Sequence, residues 1–156
     1  MTLFLIDGHA IAYRSYFALI RNPLTNSRGE NTSAVFGFTR LVLRLLEKYS
    51  PDLIAVAFDT GEATQRHEAF EDYKANREEM PDEMRDQIPV IFDMLEALAI
   101  PVLTAPGYEA DDIIATLARQ AEADGHDVRI ISSDKDLFQL LSDRVKMIRP
   151  TKSTDL

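Results

Sequence analysis

The feature that most constrains the fold is a set of short apolar runs that stop on or near an acidic residue. Thr2-Leu-Phe-Leu-Ile6 stops at Asp7-Gly8, and Leu53-Ile-Ala-Val-Ala-Phe58 stops at Asp59-Thr-Gly61. Val128-Arg-Ile-Ile-Ser132 leads into Ser133-Asp-Lys-Asp136. Apolar runs of this length read as strands buried on both faces. Pro101-Val-Leu-Thr104 and Val145-Lys-Met-Ile148 read as two more strands.

Helical stretches separate these strands. The first runs from His9 to about Leu19. Ser33 is placed to cap a second through Lys48, with Val35, Phe36, Phe38, Leu41, Val42, Leu45 and Leu46 facing inward. Ile88 to Leu98 forms a third, with Pro89 in its first turn and Ile91, Leu95 and Leu98 inward. The turn signal Pro106-Gly107 opens a fourth near Glu109, which buries Ile113, Ile114, Leu117, Ala118 and Ala121 and stops near Gly125. A short helix is expected over Leu137 to Leu141. The alternation predicts an α/β fold: a mostly parallel sheet of about five strands between helices, in a single domain over residues 1–156. Residues 61–87 stand apart, dense in charge and poor in apolar side chains, as a functional lid or a solvated helical excursion would be.

In parallel sheets, ligands bind beyond the carboxyl ends of the strands. Asp7, Asp59 and Asp134 fall at such ends, with Asp136 two residues further on. Glu109, Asp111 and Asp112 follow the third strand through a short loop. Singly, these acids are ordinary turn and cap residues. Together they raise one another's pKa and cost stability unless cations hold them. The chain has no cysteine and three histidines, so an all-oxygen site for Mg²⁺ or Mn²⁺ is the expected chemistry. Two such ions about 4 Å apart would support in-line attack on a phosphodiester. His9, His67 and His126 read as surface or turn residues.

The net charge of -9 argues against a nucleic-acid partner only at first sight. Residues 1–80 hold nine Lys and Arg against eleven acids, whereas residues 81–156 hold eight against fifteen. Bound cations would further reduce the negative field at the working surface. Arg14 lies one or two turns beyond Asp7, and Lys74 and Arg77 sit at i, i+3 beside Tyr73 in the charged excursion. These could hold phosphate and stack on a base, or form an ordinary amphipathic turn. The absence of cysteine excludes disulfides and thiol chemistry, and no apolar run reaches the about 18 residues of a membrane span. The N-terminus lacks the pattern of a signal peptide, so a cytoplasmic location is expected.

Five motifs carry a family resemblance: Leu5-Ile-Asp-Gly8, Ala57-Phe-Asp59, Tyr73-Lys-Ala-Asn-Arg77, Gly107-Tyr-Glu-Ala-Asp-Asp112 and Ser132-Ser-Asp-Lys-Asp136. In this order and spacing the chain resembles the 5′-nuclease domain at the N-terminus of bacterial DNA polymerase I, a relative of flap endonucleases with a PIN-like fold. The resemblance implies metal-dependent 5′-3′ exonuclease and flap endonuclease activity on DNA flaps and RNA primers, with a polymerase domain attached in the full-length protein. It implies that Asp7, Asp59, Glu109 and Asp111 surround one metal, and that Asp112, Asp134 and Asp136 serve it or a second. It assigns Lys74 to polarising the scissile phosphate from a helical arch, Arg77 to steadying it, Tyr73 to stacking and Arg14 to a phosphate.

The family continues past the position of Leu156 with a further acidic pair and a helix-turn-helix element that grips the duplex. On that comparison the chain is expected to be a fragment whose second metal site lacks ligands. Gln65 stands where the family usually has an aromatic. The rival readings are a catalytically silent nucleic-acid-binding module, a naturally short PIN-type ribonuclease, and a receiver domain. The charged excursion argues against the ribonuclease. Acids spread over four strand ends argue against the receiver domain, which needs one phosphoacceptor.

Overall fold

The computed structural model of the chain describes residues 1–61 and 79–151. Five strands, β1 (Thr2–Asp7), β2 (Leu53–Ala57), β3 (Val102–Leu103), β4 (Asp127–Ile131) and β5 (Val145–Ile148), form one sheet in the order β3-β2-β1-β4-β5. All pairings are parallel. The helices are α1 (Gly8–Ala18), α2 (Ser33–Tyr49), α3 (Asp82–Arg85), α4 (Ile88–Ala97) and α5 (Ala110–Ala123), with a 3-10 helix over Lys135–Leu140.

Side chains alternate across the sheet, as the two-residue strand period requires. Phe4, Ile6, Val56, Phe58 and Ile131 pack with α1, α2 and α4 through Ile11, Phe38, Val42, Leu45, Ile91 and Leu95. Leu5, Ala55, Ala57, Val128 and Ile130 pack on the other face with Ala110, Ile114 and Ala118 of α5. Small residues on both sides of that second layer let α5 lie close to the sheet. The expected α/β sandwich is therefore present.

Register sets the acids level with one another. Asp7 pairs with Ala57, two residues before Asp59, and Ile6 pairs with Ile131, three before Asp134. From β1 the chain builds outward in both directions, to β2 on one side and to β4 on the other. That reversal of strand order opens a crevice at the carboxyl ends.

Local details depart from the sequence reading. Phe36 is 48% exposed rather than inward, and Leu98 is the exposed C-cap of α4. The segment after Asp134 is a 3-10 helix, opened by the Asp134 carboxylate accepting from Asp136 N–H in a tight turn. Ser33 does not cap α2. It is buried as the first helical residue, and its Oγ accepts from Leu24 N–H. The cap comes from 53 residues away in sequence: Gln87 Oε1 accepts from Ala34 N–H at 2.9 Å and from Val35 N–H at 3.2 Å.

Gln87 also donates through Nε2 to Asn31 Oδ1 and to the Glu83 carbonyl, so one buried amide ties the α3–α4 segment to the start of α2. Gln87→Ala strands two helix N–H groups in a dry site. It is expected to cost roughly 2–4 kcal/mol, a fall of roughly 5–12 °C in Tm. Thermal and urea denaturation measure it; a loss under about 1 kcal/mol would mean that water replaces the amide.

Candidate metal centre

Asp7 ends β1 and caps α1: Oδ1 accepts from Ala10 N–H at 3.5 Å. Its Oδ2 accepts from the Ser132 hydroxyl at 2.9 Å, a bridge from β1 to β4 across the crevice. Gly8 is required beside it, because a Cβ there would stand 2.6 Å from the buried Phe58 ring. Burial pushes the Asp7 carboxyl up to about 6. The hydrogen bonds from Ser132 and Ala10 pull it down, and the charges of Asp134 and Asp59 push it up again.

Asp59 lies two residues past β2. Its Oδ1 accepts from Ala110 N–H at 2.6 Å, which fastens it to the first residue of α5. Its own N–H donates to His9 Nδ1 at 3.3 Å. That bond assigns the imidazole proton to Nε2. The approach of His9 Nδ1 to Asp59 Oδ2 at 3.7 Å is then a close contact with a neutral ring, not an ion pair.

Glu109 is the buried N-cap of α5, and its N–H donates to Asp112 Oδ2 at 3.0 Å as in a capping box. Carboxylate oxygens of Glu109, Asp111 and Asp112 come within 4.8 Å of one another. Asp134 N–H donates to Ser132 Oγ at 3.1 Å, so one hydroxyl orients two acids, donating to Asp7 and accepting from Asp134.

Six of the seven expected acids, Asp7, Asp59, Glu109, Asp111, Asp134 and Asp136, line one cleft of about 360 Å³. Asp112 is beside the cluster but outside this lining, its carboxylate turned back onto the helix start. Arg14, half-buried on α1, is not in the lining either. Tyr73, Lys74, Arg77, Gln65 and His67 lie outside the described residues.

Two residues outside the expected set also line the cleft: His9, which reads in the sequence as a surface or turn residue, and Tyr13 one turn on. The i, i+4 spacing of the pair, directly after an acid at a strand end, was the available signal. The carboxylate oxygens gathered from four strand ends fit a hard divalent cation, and the chain has no thiolate to favour a softer one.

The model of the family described as "5'-3' exonuclease, N-terminal resolvase-like domain" matches residues 2–156. The chain belongs to this family. A DNA polymerase I from Deinococcus radiodurans is 52% identical over 147 residues, 94% of this chain and 15% of that protein. A 5'-3' exonuclease from Aquifex aeolicus is 45% identical over 149 residues, 96% of this chain and 51% of that protein. The chain thus spans between about one seventh and one half of these curated relatives.

Among solved structures, the T5 5'-exonuclease with bound divalent zinc superposes at a TM-score of 0.77 with 22% identity, over 96% of this chain and 55% of that one. Human GEN1 in complex with Holliday junction DNA reaches 0.53 with 15% identity, over 98% of this chain and 36% of that one. At these identities the likeness is one of fold alone. Among the described residues no helix is long and apolar enough to cross a membrane.

Proposed function

We propose that this domain is the catalytic part of a metal-dependent 5′-3′ exonuclease and flap endonuclease of a DNA polymerase I, acting in primer and flap removal in the cytoplasm. One observation carries the reading: carboxylates from four strand ends line a single cleft at the carboxyl edge of the sheet. The family match and the 45% identity to a 5'-3' exonuclease support it.

In this reading Asp7, Asp59, Glu109 and Asp111 hold one Mg²⁺ or Mn²⁺ ion, and Asp134 and Asp136, with Asp112 from behind, serve it or a second. Bound ions supply an activated water and a stabilised leaving oxygen. The protein fixes the carboxylates through Ser132, Ala10 and Ala110. In the charged segment after Gly61, Lys74 and Arg77 would hold the scissile phosphate and Tyr73 would stack on a base, while Arg14 would contact a phosphate further along the strand. The expected excursion of residues 61–87 is shorter than its bounds, because Met84 and Gln87 are already buried, Gln87 against the start of α2. The substrates are DNA with a 5′ flap or a single-strand/double-strand junction, and RNA primers on DNA.

Millimolar Mn²⁺ is expected to raise the Tm, because a ligand of the folded state at about 100 times its Kd adds about 2.7 kcal/mol. Asp111→Asn is expected to abolish that shift. The deciding assay is metal-dependent cleavage of a 5′-flap substrate by this chain beside a version extended past residue 156. Cleavage by either form that EDTA stops supports the proposal. Metal-independent cleavage overturns it, and tight binding without cleavage by both forms favours a silent nucleic-acid-binding module.

A further inference from the structure

We propose that His9 is a positioning residue for Asp59: its imidazole stands in for a strand carbonyl and fixes the backbone that presents this carboxylate to the metal. The inference rests on the metal-nuclease reading above. It starts from the hydrogen bonds of a parallel strand, which alternate between the two neighbours. On the β3 side, Val56 N–H donates to the Pro101 carbonyl and Phe58 N–H to the Leu103 carbonyl. The next N–H, that of Asp59, is due on the β1 side. There the chain has already turned at Asp7 into α1. His9 Nδ1 receives this N–H at 3.3 Å in place of a carbonyl.

The imidazole is itself held. It sits edge-on to Phe58, centroids 5.2 Å apart at 74°. Phe58 is fully buried, stacks on Phe38 and meets Phe92 edge-on at 4.7 Å. His9 therefore ties the loop after β2 to a rigid aromatic cluster. Asp59 is fixed from two directions, its N–H by His9 and its Oδ1 by Ala110 N–H at 2.6 Å. Neither bond uses Oδ2, which lies on the His9 side of the carboxylate, 3.7 Å from Nδ1. The following residues, Thr60 and Gly61, are not in a strand, and Gly61 has φ 77°. Without His9 the Asp59 N–H would lose this bond to α1.

Amide replacements separate this role from any role of Nε2. Asn places its oxygen near the position of Nδ1, whereas Gln reaches towards that of Nε2. The probe is Mn²⁺ alone, titrated by electron paramagnetic resonance against wild type, His9→Asn, His9→Gln, His9→Ala and Asp111→Asn, each confirmed folded by circular dichroism. His9→Ala and His9→Gln are expected to weaken Mn²⁺ binding about tenfold or more, as lost outer partners of metal ligands do. His9→Asn is expected to stay within about twofold of wild type. On a 5′-flap substrate the same ranking is expected in kcat, with KM unchanged.

Rescue by Gln and not by Asn overturns the proposal in favour of an Nε2 role. An His9→Ala affinity equal to wild type overturns it while Asp111→Asn still loses the metal. If wild type binds no Mn²⁺, or Asp111→Asn binds it undiminished, the metal reading itself falls and this proposal with it. Should His9→Ala fail to fold, the Asn–Gln pair decides alone.

Discussion

Asp7→Asn is expected to raise the Tm of the metal-free protein while abolishing both its response to Mn²⁺ and its flap cleavage. The two effects have one cause. At pH 7 a carboxylate whose pKa is lifted from 3.8 to about 6 is ionised in a site that disfavours the charge. The lift corresponds to about 3 kcal/mol of destabilisation. Asn removes the charge and keeps an oxygen acceptor for Ser132 or Ala10, at the loss of one hydrogen bond of about 1 kcal/mol. A net gain of about 1–2 kcal/mol, or roughly 2–8 °C, follows.

The same charge is what a divalent ion would draw on. Removing it from a buried acid at the end of the central strand lowers cleavage by about a thousandfold or more, equivalent to about 4 kcal/mol of transition-state stabilisation. Differential scanning fluorimetry with EDTA and with Mn²⁺, beside single-turnover cleavage, measures all three quantities. A metal-free Tm at or below wild type, together with an intact Mn²⁺ shift, would show that Asp7 is an ordinary helix cap.

Much of this arrangement was legible in the sequence, because burial on both faces leaves a strand with an unbroken apolar signature. The runs ending at Asp7, Asp59 and Ser132 became β1, β2 and β4, and their parallel pairing put the acids level. Acidic residues at strand ends are informative for the same reason: the strand is dry and its end is wet. Long-range polar contacts left no such trace. Gln87 caps α2 from 53 residues away, and no local pattern distinguishes it from any other glutamine in a charged stretch.

Ser132 reads as the tail of a strand, but parallel register brings its hydroxyl to Asp7, 125 residues away. A histidine after Asp-Gly looks like a turn residue, whereas the chain enters α1 directly and sets the His9 ring edge-on against Phe58. Phe36 follows the helical period of α2 imperfectly, at the margin of the buried stripe, so hydrophobicity alone placed it inside.

Acid is expected to stabilise the metal-free protein between about pH 7 and pH 5, the reverse of the usual behaviour of carboxylates. Asp7 has a folded pKa of about 6, above its unfolded value near 3.8. The folded state therefore binds this proton more tightly than the unfolded state, and protonation favours folding. The stabilisation is fully present below the unfolded pKa and is lost as pH rises through about 6. Two other acids work the opposite way at lower pH. The Ser142 hydroxyl holds Glu122 below its ordinary 4.5, and Asn26 does the same for Glu30, so both weaken the fold as they protonate.

The clean quantity is the difference in unfolding free energy between wild type and Asp7→Asn, which cancels those terms. It is expected to shrink by about 1.3 kcal/mol, from about 2 kcal/mol at pH 7 to under about 1 kcal/mol at pH 5. Mn²⁺ competes with the proton for the same oxygens, so its affinity should fall over the same range. Near pH 6, where Asp7 is half protonated, metal binding should release about half a proton from it. Calorimetric titrations in two buffers of different ionisation enthalpy count that proton. A difference that is flat from pH 7 to pH 5, with no proton released at pH 6, would mean that Asp7 is ionised without penalty in the folded state and that its burial does not govern the site.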